Sequence, residues 1–304
     1  MASVPIMMPR LRPGTARLGR IDRLGWSTGT CFDAYGLRVG VRTNAPGLLE
    51  QLGPHLPPGW RASASPLVDQ IFSLWVDPGD ARRPSRVYTG RSRRARTADL
   101  AQAFAVLESE IRQCVATAAE GRTFVHAGVV GWRGRAIVIP GRSRSGKTTL
   151  VAELVKAGAS YLSDEFAVLD GRGRVHPFAK PLSIRGASGC DRHARSQRAE
   201  ELGGSCANGP LPVRLVVLTE HRPGAHWRPE RLTAGQAVLE MLAHTVPARL
   251  RPEASLASLE RAVARATVLK GLRGEARETA EILLRSVDDE DPASRRGAGE
   301  RGTR

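Results

Sequence analysis

Gly141-Arg-Ser-Arg-Ser-Gly146-Lys147-Thr148-Thr149 is the stretch that decides the fold of this chain, and we call it the GKT loop. It matches the phosphate-binding pattern G-x-x-x-x-G-K-[ST], known as Walker A. An apolar run, Ala136-Ile-Val-Ile139, precedes it and an amphipathic run, Leu150 to Val155, follows it. These flanks predict the strand and the helix that the pattern requires. The alternative is a turn that contains a lysine by chance, which is disfavoured because the chain has only four lysines.

The residue types of the GKT loop suit a phosphate chain. Consecutive backbone N–H groups of such a loop converge on an anion, and the following helix adds its positive dipole end. Lys147 is predicted to reach the β- and γ-phosphates, and the Thr148 hydroxyl to bind Mg²⁺. The candidate nucleotide-binding residues are therefore Gly141, Arg142, Ser143, Arg144, Ser145, Gly146, Lys147, Thr148 and Thr149.

Two adjacent carboxylates follow the loop helix. Tyr161-Leu-Ser-Asp164-Glu165 is a short strand pattern that ends in an acidic pair. A strand placed directly after the loop helix is expected beside the loop strand, which would bring its carboxyl end near the phosphates. Asp164 and Glu165 are candidates to hold Mg²⁺ or to accept a proton from an attacking hydroxyl. The alternative is that they simply end a strand in solvent, but two adjacent carboxylates at this position favour function.

The rest of the chain predicts an α/β protein in several parts. We expect a disordered arm over 1–22, a small α+β domain over 23–96, the GKT-loop domain over 97–287 and a disordered tail over 288–304. Thr97 to Gly121 is predicted to be a helix that packs on the GKT-loop domain, because its apolar residues fall three and four apart. Residues 187–210 are predicted to be a long loop, a candidate substrate lid. Three C-terminal helices are predicted over 233–244, 255–266 and 274–287.

Composition excludes several classes of protein. The formal net charge is +16, which is typical of nucleic-acid binding. However, the only dense basic cluster, Arg91 to Arg96, has no interleaved aromatic residues for base stacking. We therefore predict no specific nucleic-acid partner. No apolar run approaches the roughly 18 to 20 residues that span a bilayer, so we predict no membrane partner.

Cysteine usage predicts a reducing compartment. Cys31, Cys114, Cys190 and Cys206 are scattered without C-x-x-C spacing, which indicates neither a zinc site nor a disulfide framework. The arginines near the start follow the short apolar stretch rather than precede it, the reverse of a secretory signal. We expect a cytoplasmic protein.

One region resembles a known family. His126-Ala-Gly-Val, a hairpin, a strand, the GKT loop, a helix that ends in Ala157-Gly158 and then Leu-Ser-Asp164-Glu165 are together similar to the core of the HPr kinase/phosphorylase family. A more distant similarity is to the ATP-dependent phosphoenolpyruvate carboxykinases. The resemblance covers residues 124 to about 190 and implies a P-loop core of the HPr-kinase/PEP-carboxykinase type, with a small α+β N-terminal domain and C-terminal helices added.

The resemblance implies a kinase that uses Mg-ATP and transfers the γ-phosphoryl group to a serine hydroxyl on a protein or peptide. It implies Asp164 as the base, Glu165 as the metal neighbour and His126 as a neighbour of the transferred phosphate. Leu182-Ser-Ile-Arg185-Gly186 is similar to a second family segment, which would make Arg185 a phosphate contact. The related kinases assemble into oligomers, so a homo-oligomer is also implied. The alternative is a nucleotide-binding switch or scaffold with little or no transferase activity.

Two positions depart from the family pattern. Arg144 stands where the loop usually has a glycine, so either the local backbone differs or the guanidinium adds a phosphate contact. Ser183 stands where the second segment usually has a glutamate, which puts reverse phosphorolysis in doubt. The N-terminal region is also unlike that of the HPr kinases, so HPr itself is not implied as the substrate.

Overall fold

A computed structural model describes residues 6–12, 19–77, 79–80, 82–142, 145–184 and 195–289. The chain divides into two compact units, residues 1–121 and 122–304. Among the described helices, none is both long and apolar enough to cross a membrane. The protein has a mixed α/β fold, and each unit is built around its own sheet.

The described part of the first unit contains two α-helices and eight strands. The helices are α1 (Gly47–Glu50) and α2 (Leu100–Ala118). The strands are β1 (Arg10–Leu11), β2 (Thr28–Ala34), β3 (Leu37–Thr43), β4 (Arg61–Ala62), β5 (Leu67–Val68), β6 (Gln70–Trp75), β7 (Ser85–Thr89) and β8 (Ser92–Thr97).

A six-stranded sheet in the order β4-β2-β3-β6-β7-β8 forms the centre of the first unit. Helix α2 packs on β6, β7 and β8, and it begins after Asp99, whose side chain accepts a hydrogen bond from the Ala101 N–H. The predicted helix is thus confirmed, with its apolar stripe buried. The structure differs from the sequence expectation in its partner, because α2 belongs to the first unit. The boundary therefore lies at 121/122 rather than at 96/97.

The described part of the N-terminal arm is not irregular. Arg10 and Leu11 pair in parallel with Leu67 and Val68, and a short 3-10 helix covers Gly19–Arg23. Residues 1–5 and 13–18 lie outside the described part of the chain. A β-strand as short as two residues has no periodicity to detect, which explains why the sequence did not indicate it.

In the second unit, the described residues form four α-helices and ten strands. The helices are α3 (Lys147–Lys156), α4 (Ala234–Leu242), α5 (Pro252–Val263) and α6 (Ala276–Asp289). The strands are β9 (Arg122–Trp132), β10 (Arg135–Pro140), β11 (Ser160–Ser163), β12 (Phe166–Asp170), β13 (Arg174–His176), β14 (Leu182–Ile184), β15 (Arg195–Gln197), β16 (Leu211–His221), β17 (Glu230–Arg231) and β18 (Thr267–Arg273).

The strand pairings of the second unit close into a ring. β10 pairs with β9, β9 with β12, β12 with β13, β13 with β16, and β16 in parallel with β10. Alternate side chains of β10 enter two different cores because successive residues of a strand face opposite sides. Ala136 and Val138 pack with residues of α4 and α5, whereas Ile137 and Ile139 pack with residues of α3 and α6. The sheet is thus covered by helices on both faces.

The position of β11 corrects one expectation. The strand after the loop helix was expected beside the loop strand β10, but β11 pairs antiparallel with β9 instead. The far edge of β10 is occupied by β16, so β9 lies between β10 and β11. Since both neighbours run antiparallel to β9, β10 and β11 still end at the same edge of the sheet.

Three further features differ from the sequence expectation. β18 was not predicted, and it pairs in parallel with β16 over Leu215 to His221. In the stretch expected to be one long loop, residues 195–210 contain β15 and a 3-10 helix, Glu200–Leu202. Asp288 and Asp289, which were expected to belong to a disordered tail, instead end α6, and Trp132 Nε1 donates to Asp288 Oδ1 at 2.8 Å. Residues 185–194 and 290–304 lie outside the described part of the chain.

Candidate functional site

The GKT loop joins the end of β10 to the start of α3. Gly146 precedes the helix with φ +83°, a left-handed conformation that favours glycine. No side chain caps the helix at this end, and the N–H groups of a first helical turn have no partner within the helix. The Ser145 hydroxyl is buried and has no hydrogen-bond partner among the described residues. The loop therefore offers several unsatisfied donors at the positive end of a helix dipole.

Part of the loop lies outside the described chain. This applies to Ser143 and Arg144, two of the predicted nucleotide-binding residues, and to Arg185 of the second segment. The structure therefore does not test the expected phosphate contacts of these three residues. The predicted strand before the loop and the predicted helix after it are confirmed.

A backbone carbonyl of the GKT loop holds the side chain of Lys147. Its Nζ donates to the Arg142 carbonyl at 2.5 Å. Burial lowers the pKa of Lys147 to about 8, and the nearby Asp164 opposes that shift. The ammonium thus lies in a partly dehydrated site whose electrostatic interactions are stronger than in water. An anion bound at the loop would stabilise its charged form.

The acidic pair lies at the turn between β11 and β12. The Ser163 hydroxyl accepts hydrogen bonds from the N–H groups of Glu165 and Phe166, at 3.1 and 3.0 Å. This turn stands opposite Ala127, whose N–H donates to the Glu165 carbonyl at 3.1 Å. On the other side of β9, Pro140 at the end of β10 is the partner of the same Ala127. The register of β9 thus brings the acidic pair level with the start of the GKT loop.

Asp164 is the carboxylate that contacts the loop helix. It is 7% exposed, and the Thr148 hydroxyl donates to its Oδ2 at 3.4 Å. The backbone N–H of Ser183 also donates to Oδ2 at 3.4 Å, and the Tyr161 hydroxyl lies 3.1 Å from Oδ1. Thr148 was expected to share the metal with Glu165, whereas the structure brings Asp164 to its hydroxyl. Ser183 contributes its backbone N–H at the position where it departs from the family pattern.

Lys180 balances the charge of the acidic pair. Its Nζ lies 3.9 Å from Asp164 Oδ1 and 3.4 Å from Glu165 Oε2. Its carbonyl lies 2.9 Å from the Tyr161 hydroxyl. Burial and the adjacent Asp164 raise the pKa of Tyr161, so this hydroxyl stays protonated and acts as a donor. Lys180 is therefore a second cation of the site, beside Lys147.

His126 lies on β9 beside the same turn. Its ring packs against Phe166, with 4.8 Å between ring centroids, and its carbonyl accepts from the Gly141 N–H at 3.1 Å. Burial lowers the pKa of His126; Lys147 and His244 act in the same direction and Glu165 opposes them. The imidazole is thus neutral near pH 7 and can offer a hydrogen bond rather than a charge.

The sequence missed two residues near the GKT loop. The His244 carbonyl accepts a hydrogen bond from the His126 N–H at 2.8 Å. Burial lowers the pKa of His244, and the charges of Lys147 and Arg142 lower it further. Arg273, at the end of β18, donates from Nη2 to the Gly146 carbonyl at 2.9 Å. The β-branched and apolar run Thr267-Val-Leu269 was the available signal for β18, but it is too short to separate from the flanking helical patterns.

The donor set fits Mg²⁺. Mg²⁺ prefers oxygen ligands and is usually held by one or two carboxylates together with substrate phosphates. Thr148 and Asp164 supply a hydroxyl and a carboxylate 3.4 Å apart, and Glu165 follows directly in the chain. Among the described residues, no three His, Cys, Asp or Glu side chains gather into an all-protein metal cage. The arrangement therefore suits a cation shared with a phosphate ligand.

Fold and site together define a mixed α/β protein in which a glycine-rich loop and the helix after it face a pair of carboxylates. Neither a protein-family model nor a curated protein matches the chain. Among solved structures, the chain is similar to the HPr(Ser) kinase/phosphatase from Coxiella burnetii, with 14% identity and a TM-score of 0.33. That match covers 55% of this chain and 97% of the other. The similarity is distant in both sequence and geometry.

Proposed function

We propose that this protein is an ATP-dependent phosphotransferase that moves the γ-phosphoryl group to a serine hydroxyl on a protein or peptide. The observation that carries the proposal is the contact between Thr148 Oγ1 and Asp164 Oδ2 at 3.4 Å. It brings the acidic pair to the first turn of the helix that follows the GKT loop. Phosphoryl transfer needs positioned carboxylates, a metal ion and positive charge around the phosphates, with little covalent chemistry by the protein.

The transfer balances as an in-line displacement. The serine oxygen forms a bond to the γ-phosphorus while the bond from that phosphorus to the β,γ-bridging oxygen breaks, and ADP leaves. Asp164 accepts the proton of the serine hydroxyl. Lys147 and the backbone N–H groups of the GKT loop stabilise the negative charge on the phosphates, and His126 and Arg185 contact the transferred group.

Bound Mg²⁺ would neutralise charge on the β- and γ-phosphate oxygens, and we assign Thr148 and Glu165 to hold it. The hydrogen bond between Thr148 and Asp164 favours the opposite assignment of roles, in which Asp164 holds the metal and Glu165 accepts the proton. Asp164→Asn and Glu165→Gln separate the two arrangements. The variant that has lost the base should bind Mg-ATP normally but transfer slowly, whereas the variant that has lost the metal ligand should need more Mg²⁺ for half-maximal binding.

We also propose that the protein acts in the cytoplasm, where ATP is abundant. The three described cysteines, Cys31, Cys114 and Cys206, are all free thiols, which suits a reducing compartment. Cys190 lies outside the described residues.

The function is tested with γ-labelled Mg-ATP and host-cell extract. We expect label on an acid-stable, alkali-labile protein species, lost in Lys147→Ala and in Asp164→Asn. Asp170→Asn is a matched control, because Asp170 is also buried but its carboxylate bonds to Arg172, Arg174 and His176. Label released only as free phosphate would contradict the transferase and favour a nucleotide-driven switch.

A further inference from the structure

Arg273 is a buried cation at the edge of the sheet where the GKT loop lies. Its strand β18 runs parallel to β16, which runs parallel to the loop strand β10. The carboxyl ends of parallel strands meet at one edge of a sheet, where ligands of such folds bind. The residue is 2% exposed, so its side chain is enclosed by protein.

Among the described residues, the guanidinium is bonded to backbone carbonyls only. Nη2 donates to the Gly146 carbonyl at 2.9 Å and Nη1 to the Gly274 carbonyl at 3.0 Å. Nε is buried and has no hydrogen-bond partner among the described residues. Burial lowers the pKa of Arg273, opposed by Glu275, which is itself exposed. An arginine remains charged in proteins, so this site keeps a positive charge that no buried carboxylate contacts.

The side chain of Arg273 leaves no room for a side chain at Gly146. A Cβ atom at Gly146 would collide with Arg273 Nη2, and the positive φ of Gly146 also favours glycine. The guanidinium therefore lies directly against the last loop residue before α3. Its hydrogen bond acts together with the one that the Leu150 N–H donates to the same carbonyl at 3.2 Å. The two bonds orient the peptide group between Gly146 and Lys147, and thus the Lys147 N–H.

We propose that Arg273 is a positioning residue for phosphate binding at the GKT loop. It holds the Gly146 peptide so that the N–H groups at the start of α3 face the phosphates, and it adds a buried positive charge behind them. The inference rests on the proposed function for the ligand, a nucleoside triphosphate. It assigns a role at that site to a residue more than a hundred positions beyond the loop in the chain.

Calorimetric titration of the full chain with Mg-ATP and with AMP tests this role. We expect Arg273→Met to weaken Mg-ATP binding roughly 10- to 100-fold, since a hydrogen bond from a charged group contributes that much. Arg273→Lys keeps the charge but not the fork of donors, so it should recover part of the affinity. The loss should be smaller for AMP, because AMP carries fewer phosphates. A residue that only stabilised the fold would not produce this dependence on phosphate number.

Arg42→Met is the matched control, because Arg42 is also buried but is paired with Asp22 in the first unit. It should leave the dissociation constant of Mg-ATP unchanged. Equal affinities for Arg273→Met and the wild type, or equal losses in both variants, would overturn the inference while leaving the proposed function intact. If Arg273→Met does not fold, an unchanged affinity in Arg273→Lys would overturn it. Failure of the wild type to bind Mg-ATP would refute the proposed function as well.

Discussion

The two units treat a buried cation in opposite ways. In the first unit, Arg42 donates to Asp22 at 2.8 Å and to the Ser73 hydroxyl at 3.0 Å, and it stacks on Trp26. In the second unit, Lys147 and Arg273 donate to backbone carbonyls instead. A buried charge is costly unless it is paired. The first arrangement therefore serves the fold, and we propose that the second keeps positive charge available for an anion that is not part of the chain.

Removal of the Lys147 ammonium should have the largest effect. We expect Lys147→Met to lower the rate of phosphoryl transfer roughly 10²- to 10³-fold, the usual effect of losing one preorganised charge from a transition state. The free energy of unfolding should change little, because no carboxylate loses a close partner. Lys156→Met on the same helix is the control, since Lys156 is half exposed and pairs with Glu153. A similar rate of transfer in Lys147→Met would contradict the functional role that the comparison gives to the cations of the second unit.

A side chain at Gly146 should have the next largest effect. Gly146→Ala places a Cβ against Arg273 and forces alanine into a left-handed conformation, which costs about 1–3 kcal/mol. We expect weaker binding of Mg-ATP together with a lower midpoint in urea unfolding. Gly235→Ala in α4 is the control, because its φ is not positive and its Cβ would meet no atom within 4 Å. Normal binding by Gly146→Ala would show that the Gly146–Arg273 contact does not shape the site.

The pH dependence of nucleotide binding should be smaller. Because burial lowers the pKa of Lys147 to about 8 in the unliganded protein, the residue is charged below that pH and neutral above it. A phosphate ligand favours the charged form, so binding must take up a proton above pH 8, and the affinity for Mg-ADP should fall by up to about tenfold per pH unit. Titrations in buffers of different ionisation enthalpy measure this uptake directly. An affinity that is constant between pH 8 and 9.5 would contradict the role of Lys147.

The same pKa has an opposite effect on stability. The pKa of Lys147 is lower in the folded chain than its ordinary value of 10.5, so the unfolded chain binds more protons between pH 8 and 10.5. Stability contributed at this position therefore rises as the pH increases through that window, and it is constant below it. As the pH rises through this window, the affinity for Mg-ADP should therefore fall while the free energy of unfolding rises. This sets Lys147 apart from the paired Arg42.

The smallest effect is expected in the first unit. Arg42→Met should lower the free energy of unfolding by about 1–2 kcal/mol, because it removes one charge-assisted hydrogen bond to a half-exposed carboxylate. Nucleotide affinity and transfer should be unchanged. Chemical denaturation with the fluorescence of Trp26 and the other tryptophans measures the first effect, and labelled ATP the second. A large loss of transfer in Arg42→Met would mean that the two kinds of buried cation do not have separate roles.

Local patterns predicted much of the second unit. The apolar run before the GKT loop, the amphipathic run after it and the strand that ends at Asp164 all lie where the sequence placed them. Each depends on residues that are near one another in the chain. The acidic pair was expected near the GKT loop for the same reason, but the direct contact of Thr148 with Asp164 was not, because Glu165 was expected to share the metal with Thr148.

Pairing partners could not be predicted in the same way. The sequence does not show which strand pairs with the second edge of β10. We therefore expected β11 at that edge, but β16 occupies it. Arg273 reaches Gly146 only because β18 follows β16 in the sheet, and a single arginine among many gives no signal of that contact. Likewise, α2 has an apolar stripe that would suit either unit, and only the three-dimensional packing assigns it to the first.

Strand β9 sets the spacing of the candidate site. Its Ala127 is the partner of Pro140 on one side and donates to the Glu165 carbonyl on the other, so one backbone sets the separation of the GKT loop and the acidic pair. A slip of one residue turns every side chain of a strand to the opposite face. The distance between these two halves can therefore not be adjusted gradually by insertions in β9. For the proposed phosphotransferase, we expect changes of substrate to arise in the connecting loops, while the spacing between the GKT loop and the acidic pair stays the same.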